Sequence, residues 1–415
     1  MLKNFSLLSI SKLNFVLLIF LPVSLLIGTL VSEIVISLIA INFLIYSYLN
    51  KYWEWTKTVE FKILIVFWLY LMINFITAIN PMLSISRAIF FIRFIIFVFA
   101  IVEIFKDKKN ERIIFFYWLA IILVVIFDIY VEFIYGKNLI GNTSEYKGRI
   151  SSFLGKELKI GHFLYSIFLP IFSYFLFNLK NKVNNKNFFA LIIFFGITIA
   201  MSAIILTGER ANSIKSFFCF ILFFILIKDF KIQKKLLLTI SLFFLVIFIS
   251  KQKERFTFFS DYQRLSNNNY NYSEYIKDSL HGSHYITAWK IFKNYPYLGV
   301  GNKNFRIECS KEIYYDKRFK HTENRCSTHP HQIYFEFLSE LGIFGTAIIA
   351  YFIIYILFKS FFLYFKKNNT VLLSSGLLIL STFLPLIPSG SFFTSFGAAL
   401  FWLNIGILLS NIKKN

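Results

Sequence analysis

Across 415 residues, 57% are hydrophobic and 20% aromatic, and the mean hydropathy is +0.64. Such values exclude an ordinary soluble domain. The formal net charge of +22 does not call for a nucleic-acid partner, because lysines at the ends of apolar runs account for much of it.

Apolar runs recur along nearly the whole chain, which is the pattern of an all-α polytopic membrane protein. Twelve membrane-crossing helices are predicted, at 14–30, 31–49, 61–80, 88–105, 113–134, 160–179, 187–206, 214–228, 236–250, 332–358, 371–388 and 392–411. Clusters such as Lys106, Lys108, Lys109 and Arg112 after the fourth span, and Lys228, Lys231, Lys234 and Lys235 after the eighth, fall on one side in a twelve-span arrangement. That side is expected to be the cytoplasm, with both termini there. The first span lacks a small-residue cleavage site and reads as a retained helix rather than a signal peptide. One membrane domain, 1–415, is expected, with a hydrophilic loop subdomain at 251–330 on the opposite side, between the ninth and tenth spans. Within it, 283–293 (SHYITAWKIFK) has helical apolar spacing.

The loop is basic where topology disfavours positive charge: fourteen Lys and Arg stand against eight Asp and Glu. An anionic ligand is one explanation. The loop also holds Cys309 and Cys326, and in an oxidising compartment a disulfide between them is plausible. Cys219 falls in a span and reads as inert packing.

Five of the six histidines lie within 281–331: His281, His284, His321, His329 and His331. No HExxH or CxxC spacing occurs, and His329-Pro-His331 cannot share a helical face, so acid–base work is the better reading than metal binding. His331 stands at the start of the tenth span, where an imidazole can act as a base; helix capping is the plainer alternative for it and His329. Glu336 and Glu340 follow inside that span. Intramembrane acids are functional candidates, but pairing with an arginine of another span, such as Arg93, is the favoured expectation for Glu340. Arg210, in TGERAN, and Arg87 and Arg93 lie where guanidinium groups could bind phosphate bidentately. Their plainer reading is ion pairing, with Glu209 the obvious partner for Arg210. NYPYLGVGNKNF (294–305) fails as a dinucleotide fingerprint and reads as a tight turn.

In order, an Arg-bearing turn (TGERAN), a large loop, WKIFKNYPYLGVGNKNF and HPHQIYFEFLSELGIFG resemble the O-antigen ligase and O-antigen polymerase superfamily of bacterial envelope enzymes, most closely over 200–345. The resemblance implies a metal-independent, cofactor-free membrane glycosyltransferase of the GT-C-like type in the bacterial inner membrane, its active site facing the periplasm. The donor would be a glycan on undecaprenyl diphosphate. The acceptor would be lipid A–core for a ligase, or another lipid-linked repeat unit for a polymerase, and ligase is the favoured expectation. His331 matches the family's essential histidine and Arg210 an arginine that holds the diphosphate. The family's second arginine has no match in HGSHYITAW, so His284, His281 or Arg264 would stand in. His329 and Glu340 would support the site. A lipid or sugar transporter is the competing class, but no repeated halves are visible.

Overall fold

The computed structural model describes residues 2–180, 182–183, 185–228, 230–251, 277–318 and 320–414. Among them the regular structure is helical. In chain order the helices are α1 (Leu2–Ile27), α2 (Thr29–Leu49), α3 (Val59–Ile76), α4 (Pro81–Phe90), α5 (Ile92–Ile104), α6 (Lys108–Tyr135), α7 (Ile160–Leu179) and α8 (Lys186–Leu206). They continue with α9 (Arg210–Leu226), α10 (Ile232–Lys251), α11 (Leu280–Asn294), α12 (Phe305–Glu308), α13 (Ile333–Lys367), α14 (Thr370–Thr382) and α15 (Ser395–Lys414).

Each of the twelve predicted segments overlaps a helix, although 371–388 is helical only to Thr382, and helix length does not carry a count of twelve crossings. Among the described residues nine stretches are long and apolar enough to cross a membrane, with α4 and α5 together forming one of them. Thr370–Thr382 is a shorter apolar helix. The chain is therefore a multi-pass membrane protein by helix composition, with helices of unequal reach.

The bundle has a centre and a lipid-like exterior. Within the apolar stretch of α15, 89% of residues are buried inside the protein, against 33% for α1, α2 and α3. α15 packs on α5, α7 and α14, and α13 packs on α3 and α14. The exposed apolar side chains of the outer helices, such as Ile41, Val66 and Phe116, face the solvent that suits them if that solvent is hydrocarbon. At the end away from the large loop, lysines pair with acids of neighbouring helices: Lys359 with Glu60 and Lys414 with Glu111, each at 2.7 Å.

The structure departs from the reading of α13 as one continuous rod. Gly342, at φ 62° and ψ −169°, breaks it into 333–341 and 343–367. A break frees backbone groups that cannot be left bare in a membrane. The turn 296–301 takes them up. The amides of Val300 and Gly301 donate to the carbonyls of Ser339 and Glu340 at 2.9 and 3.0 Å, and Ile343 donates to the Pro296 carbonyl at 2.8 Å. From α3, Asn74 donates to the carbonyls of Leu298 and Glu340 at 2.7 and 3.0 Å, and Tyr70 donates to Leu341. NYPYLGVGN is thus more than a turn after a helix: it is threaded into the break of α13.

The loop has a small core of its own, formed by Ala288, Ile291, Val300, Phe305, Cys309 and Tyr314. Cys309 and Cys326 are disulfide-bonded, with Cα atoms 5.3 Å apart. Beside the bridge, Arg325 donates to the carbonyls of Cys309 and Ser310, both at 3.0 Å. Together they hold the strand of chain that leads into His329-Pro-His331.

Candidate active site

The site grows from the short segment that enters α13. Gln332 caps that helix, its side-chain oxygen accepting from the amide of Tyr334 at 2.7 Å. His331, just before it, sits in the left-handed region at φ 58°, a conformation a non-glycine residue adopts only where its surroundings impose it. Its backbone carbonyl accepts from the Ser389 amide at 2.8 Å. His329 is fixed to the same segment, its Nε2 lying 3.2 Å from the Ser389 carbonyl, and its Nδ1 lies 3.0 Å from the Thr328 hydroxyl.

The link between α14 and α15 therefore organises the site, and it is longer than expected: α14 ends at Thr382 and α15 begins at Ser395. Its residues 389–396 form a strap. Beyond Ser389, the Ser391 hydroxyl and the Phe392 amide both donate to the Glu336 carboxylate, the latter at 2.9 Å. Ser395 accepts from Arg87 at 3.2 Å, and the ring of Phe396 lies 5.9 Å from that of His162.

Four imidazoles meet around His331. Its ring centroid lies 4.2 Å from that of His329, 5.1 Å from His284 and 5.3 Å from His281. His281 and His284 come from α11, which packs on α13, with Tyr285 stacked on Phe335 at 5.1 Å. His331 Nε2 lies 2.8 Å from the Ser327 hydroxyl. If the hydroxyl donates, the ring proton is on Nδ1. The Nδ1 atoms of His281 and His284 are buried without a hydrogen-bond partner among the described residues.

Burial, followed by the fields of His329, His284 and His281, lowers the His331 pKa to about 3. Burial and His281 lower that of His284 to about 4, against the opposing pull of the Asn324 carbonyl. His281 and His329 are lowered too, chiefly by burial. All four rings are thus held neutral, able to accept a proton rather than to carry one. Among the described residues no group of three or more His, Cys, Asp and Glu is arranged to hold a metal ion.

Glu340 does not pair with Arg93. Its carboxylate accepts the backbone amides of Lys303 and Phe305 at 2.8 and 3.2 Å. Arg93 instead pairs with Glu33 of α2 at 2.9 Å. The turn threaded into α13 brings amides to Glu340 first, and two amide donors satisfy a buried carboxylate without burying a second charge. Glu209 does not partner Arg210 either. It accepts the amides of Gly161 and His162 at 2.7 and 3.1 Å and the side chain of Asn212 at 2.6 Å. Arg210 is left exposed at the first position of α9.

The structure brings together His331, His329, His284 and His281. It places Glu340 inside α13, where its carboxylate holds the loop through the amides of Lys303 and Phe305. Arg210 stands apart, linked to the histidines through Glu209, His162 and the strap. Arg264 lies outside the described residues. Ser327, Ser389 and Ser391 were not legible as site residues, since serine in a loop carries no pattern. Gly342 had a signal, a glycine inside an apolar helical run.

A many-helix membrane protein with a histidine cluster at one end of its bundle is the class these features define. Residues 193–350 match the family model described as O-antigen ligase. The matched segment runs from α8 into the second half of α13, so it includes Arg210, the four histidines and Glu340. No curated protein matches the chain.

Proposed function

We propose that this protein is an O-antigen ligase: an inner-membrane, metal-independent glycosyltransferase that moves a glycan from undecaprenyl diphosphate to lipid A–core. The reading rests on one observation above all, the neutral imidazole of His331 with a hydroxyl already 2.8 Å from Nε2. An acceptor hydroxyl in the place of Ser327 Oγ would find a base within proton-transfer reach.

The diphosphate is already a leaving group, so catalysis needs only two things from the protein: removal of the acceptor's proton and neutralisation of charge on the departing diphosphate. His331 does the first. Arg210 does the second, with His284 and Arg264 as further contacts, and His329 and Glu340 hold the base in place. Direct attack inverts the anomeric centre. A pKa near 3 makes a weak base, but a bound diphosphate raises it, because a nearby anion favours the imidazolium. Base strength would rise as donor binds.

The test uses purified full-length protein in detergent, with a lipid-diphosphate glycan, a lipid A–core acceptor, EDTA and no ion gradient. A new glycosidic product is expected. Its absence, alongside gradient-driven substrate movement in vesicles, would favour a transporter. Product formed only between two lipid-linked repeats would favour a polymerase.

A further inference from the structure

A second basic cluster, outside the proposed donor contacts, lies beside the histidines. Arg93 and Arg87 converge on Glu33, at 2.9 and 3.9 Å. A cleft lined by Arg87, Arg93, Phe90, Phe94 and Phe393 opens there. Arg93 Nε is buried without a hydrogen bond among the described residues. Lys303 follows the turn threaded into α13 and Arg306 lies in α12, and Lys303 feels the fields of both Arg87 and Arg306. Among the described residues neither Lys303 nor Arg306 has an acid within ion-pairing distance. Four cations thus stand about two acids, Glu33 and the buried Glu340, whose fields both reach Lys303, on a half-buried surface with aromatic walls. Charge so arranged raises the local concentration of anions.

Two links tie this cluster to the base. Arg306 donates to the Thr328 carbonyl at 3.2 Å, three residues before His331. Its field also reaches His329. In an inverting attack the leaving diphosphate departs on the side of the anomeric carbon away from the base. With the donor diphosphate assigned to Arg210 and His284, the permanent cations joined to the base through Thr328 are left for the acceptor. We infer that Arg87, Arg93, Lys303 and Arg306 form a second anion site, which holds a phosphate group carried by the lipid-borne acceptor. This inference rests on the transferase reading, and it separates the acceptor's phosphate from the donor diphosphate at Arg210.

The experiment measures binding and turnover with the full-length protein in neutral-lipid nanodiscs. The probes are a short-chain prenyl diphosphate and a bisphosphorylated glucosamine-disaccharide lipid. Arg306→Ala, at an exposed position, should weaken the phosphoglycolipid about tenfold, as expected for one lost guanidinium–phosphate contact, and leave the prenyl diphosphate and the melting temperature unchanged. Arg87→Gln should act in the same direction, and Arg210→Ala should do the reverse. Equal loss of both probes, no loss of either, or displacement of the phosphoglycolipid by equimolar phosphatidylglycerol would overturn the inference. A wild-type protein that makes no glycosidic product but shows the selective binding pattern would fail the transferase reading and leave the second site standing. Product with unselective variants would do the opposite.

Discussion

His284 of α11 and His331, in the segment just before α13, meet with ring centroids 5.1 Å apart, His331 being held in a left-handed backbone conformation that the Ser389 amide locks from the other side. The proposed base is positioned by its backbone as much as by its ring. His331→Ala would add backbone strain of about 1 kcal/mol to the loss of the imidazole. Asparagine tolerates that conformation better. His331→Asn should therefore reach wild-type expression and melting temperature and lose transfer by at least about a hundredfold, the usual contribution of a general base. Normal turnover in that variant would remove His331 from the chemistry.

The same cluster dictates a pH dependence. The four histidine pKa values are lowered in the folded protein, His331 to about 3 and His284 to about 4. The unfolded chain, with imidazoles near 6.5, binds more protons below that pH, so this contribution to stability falls as pH drops from about 6.5 toward 4. Melting temperature in detergent should decline over that window, and His284→Gln should flatten the decline. In kinetics, the proposed mechanism has donor binding raise the His331 pKa. The acid limb of kcat, which reports the bound enzyme, should then lie at higher pH than that of kcat/KM. Coincident limbs would mean that the donor's charge does not reach the base.

Glycine substitutions separate the break in α13 from ordinary loop positions. At Gly342 a Cβ would overlap the Tyr297 carbonyl and the Gly299 amide, and φ is positive. Gly342→Ala should cost roughly 2–4 kcal/mol and lower the yield of folded protein. At Gly390, in the strap, a Cβ meets nothing within 4 Å, and Gly390→Ala should be neutral. Thermal melts of the two variants in detergent provide the comparison.

Glu340 should behave as a clamp on the turn rather than as a catalytic acid. Glu340→Gln replaces one carboxylate oxygen with an amide that faces the Lys303 or Phe305 N–H, a donor against a donor. A loss of about 1–3 kcal/mol is expected, with residual turnover in whatever fraction folds. A well-folded variant without any activity would assign Glu340 to the chemistry instead.

Much of this architecture could be read from apolar runs and their lysine boundaries. α7 was predicted at 160–179 and is Ile160–Leu179, because a lysine and an apolar run mark each end. Gly342 marked a weak point in an apolar helical run, but the break itself could not be read, because the hydrogen-bond partners that stabilise it lie some forty residues earlier. The pairing of Glu340 failed for the same reason: charge suggested an arginine, whereas the backbone of a distant turn supplies the donors. The histidine cluster was half legible. Composition and resemblance picked out the residues, but only tertiary packing brings α11 against the mouth of α13. The strap was hidden because PSGS looks like any short link.

The most direct measurement is a lipopolysaccharide gel from cells lacking this gene, complemented with wild type, His331→Asn or empty vector. The account predicts a ladder with wild type. With His331→Asn and with vector it predicts bare core, and long chains that remain on the lipid carrier. A ladder with His331→Asn, or an unchanged ladder without the gene, would contradict it.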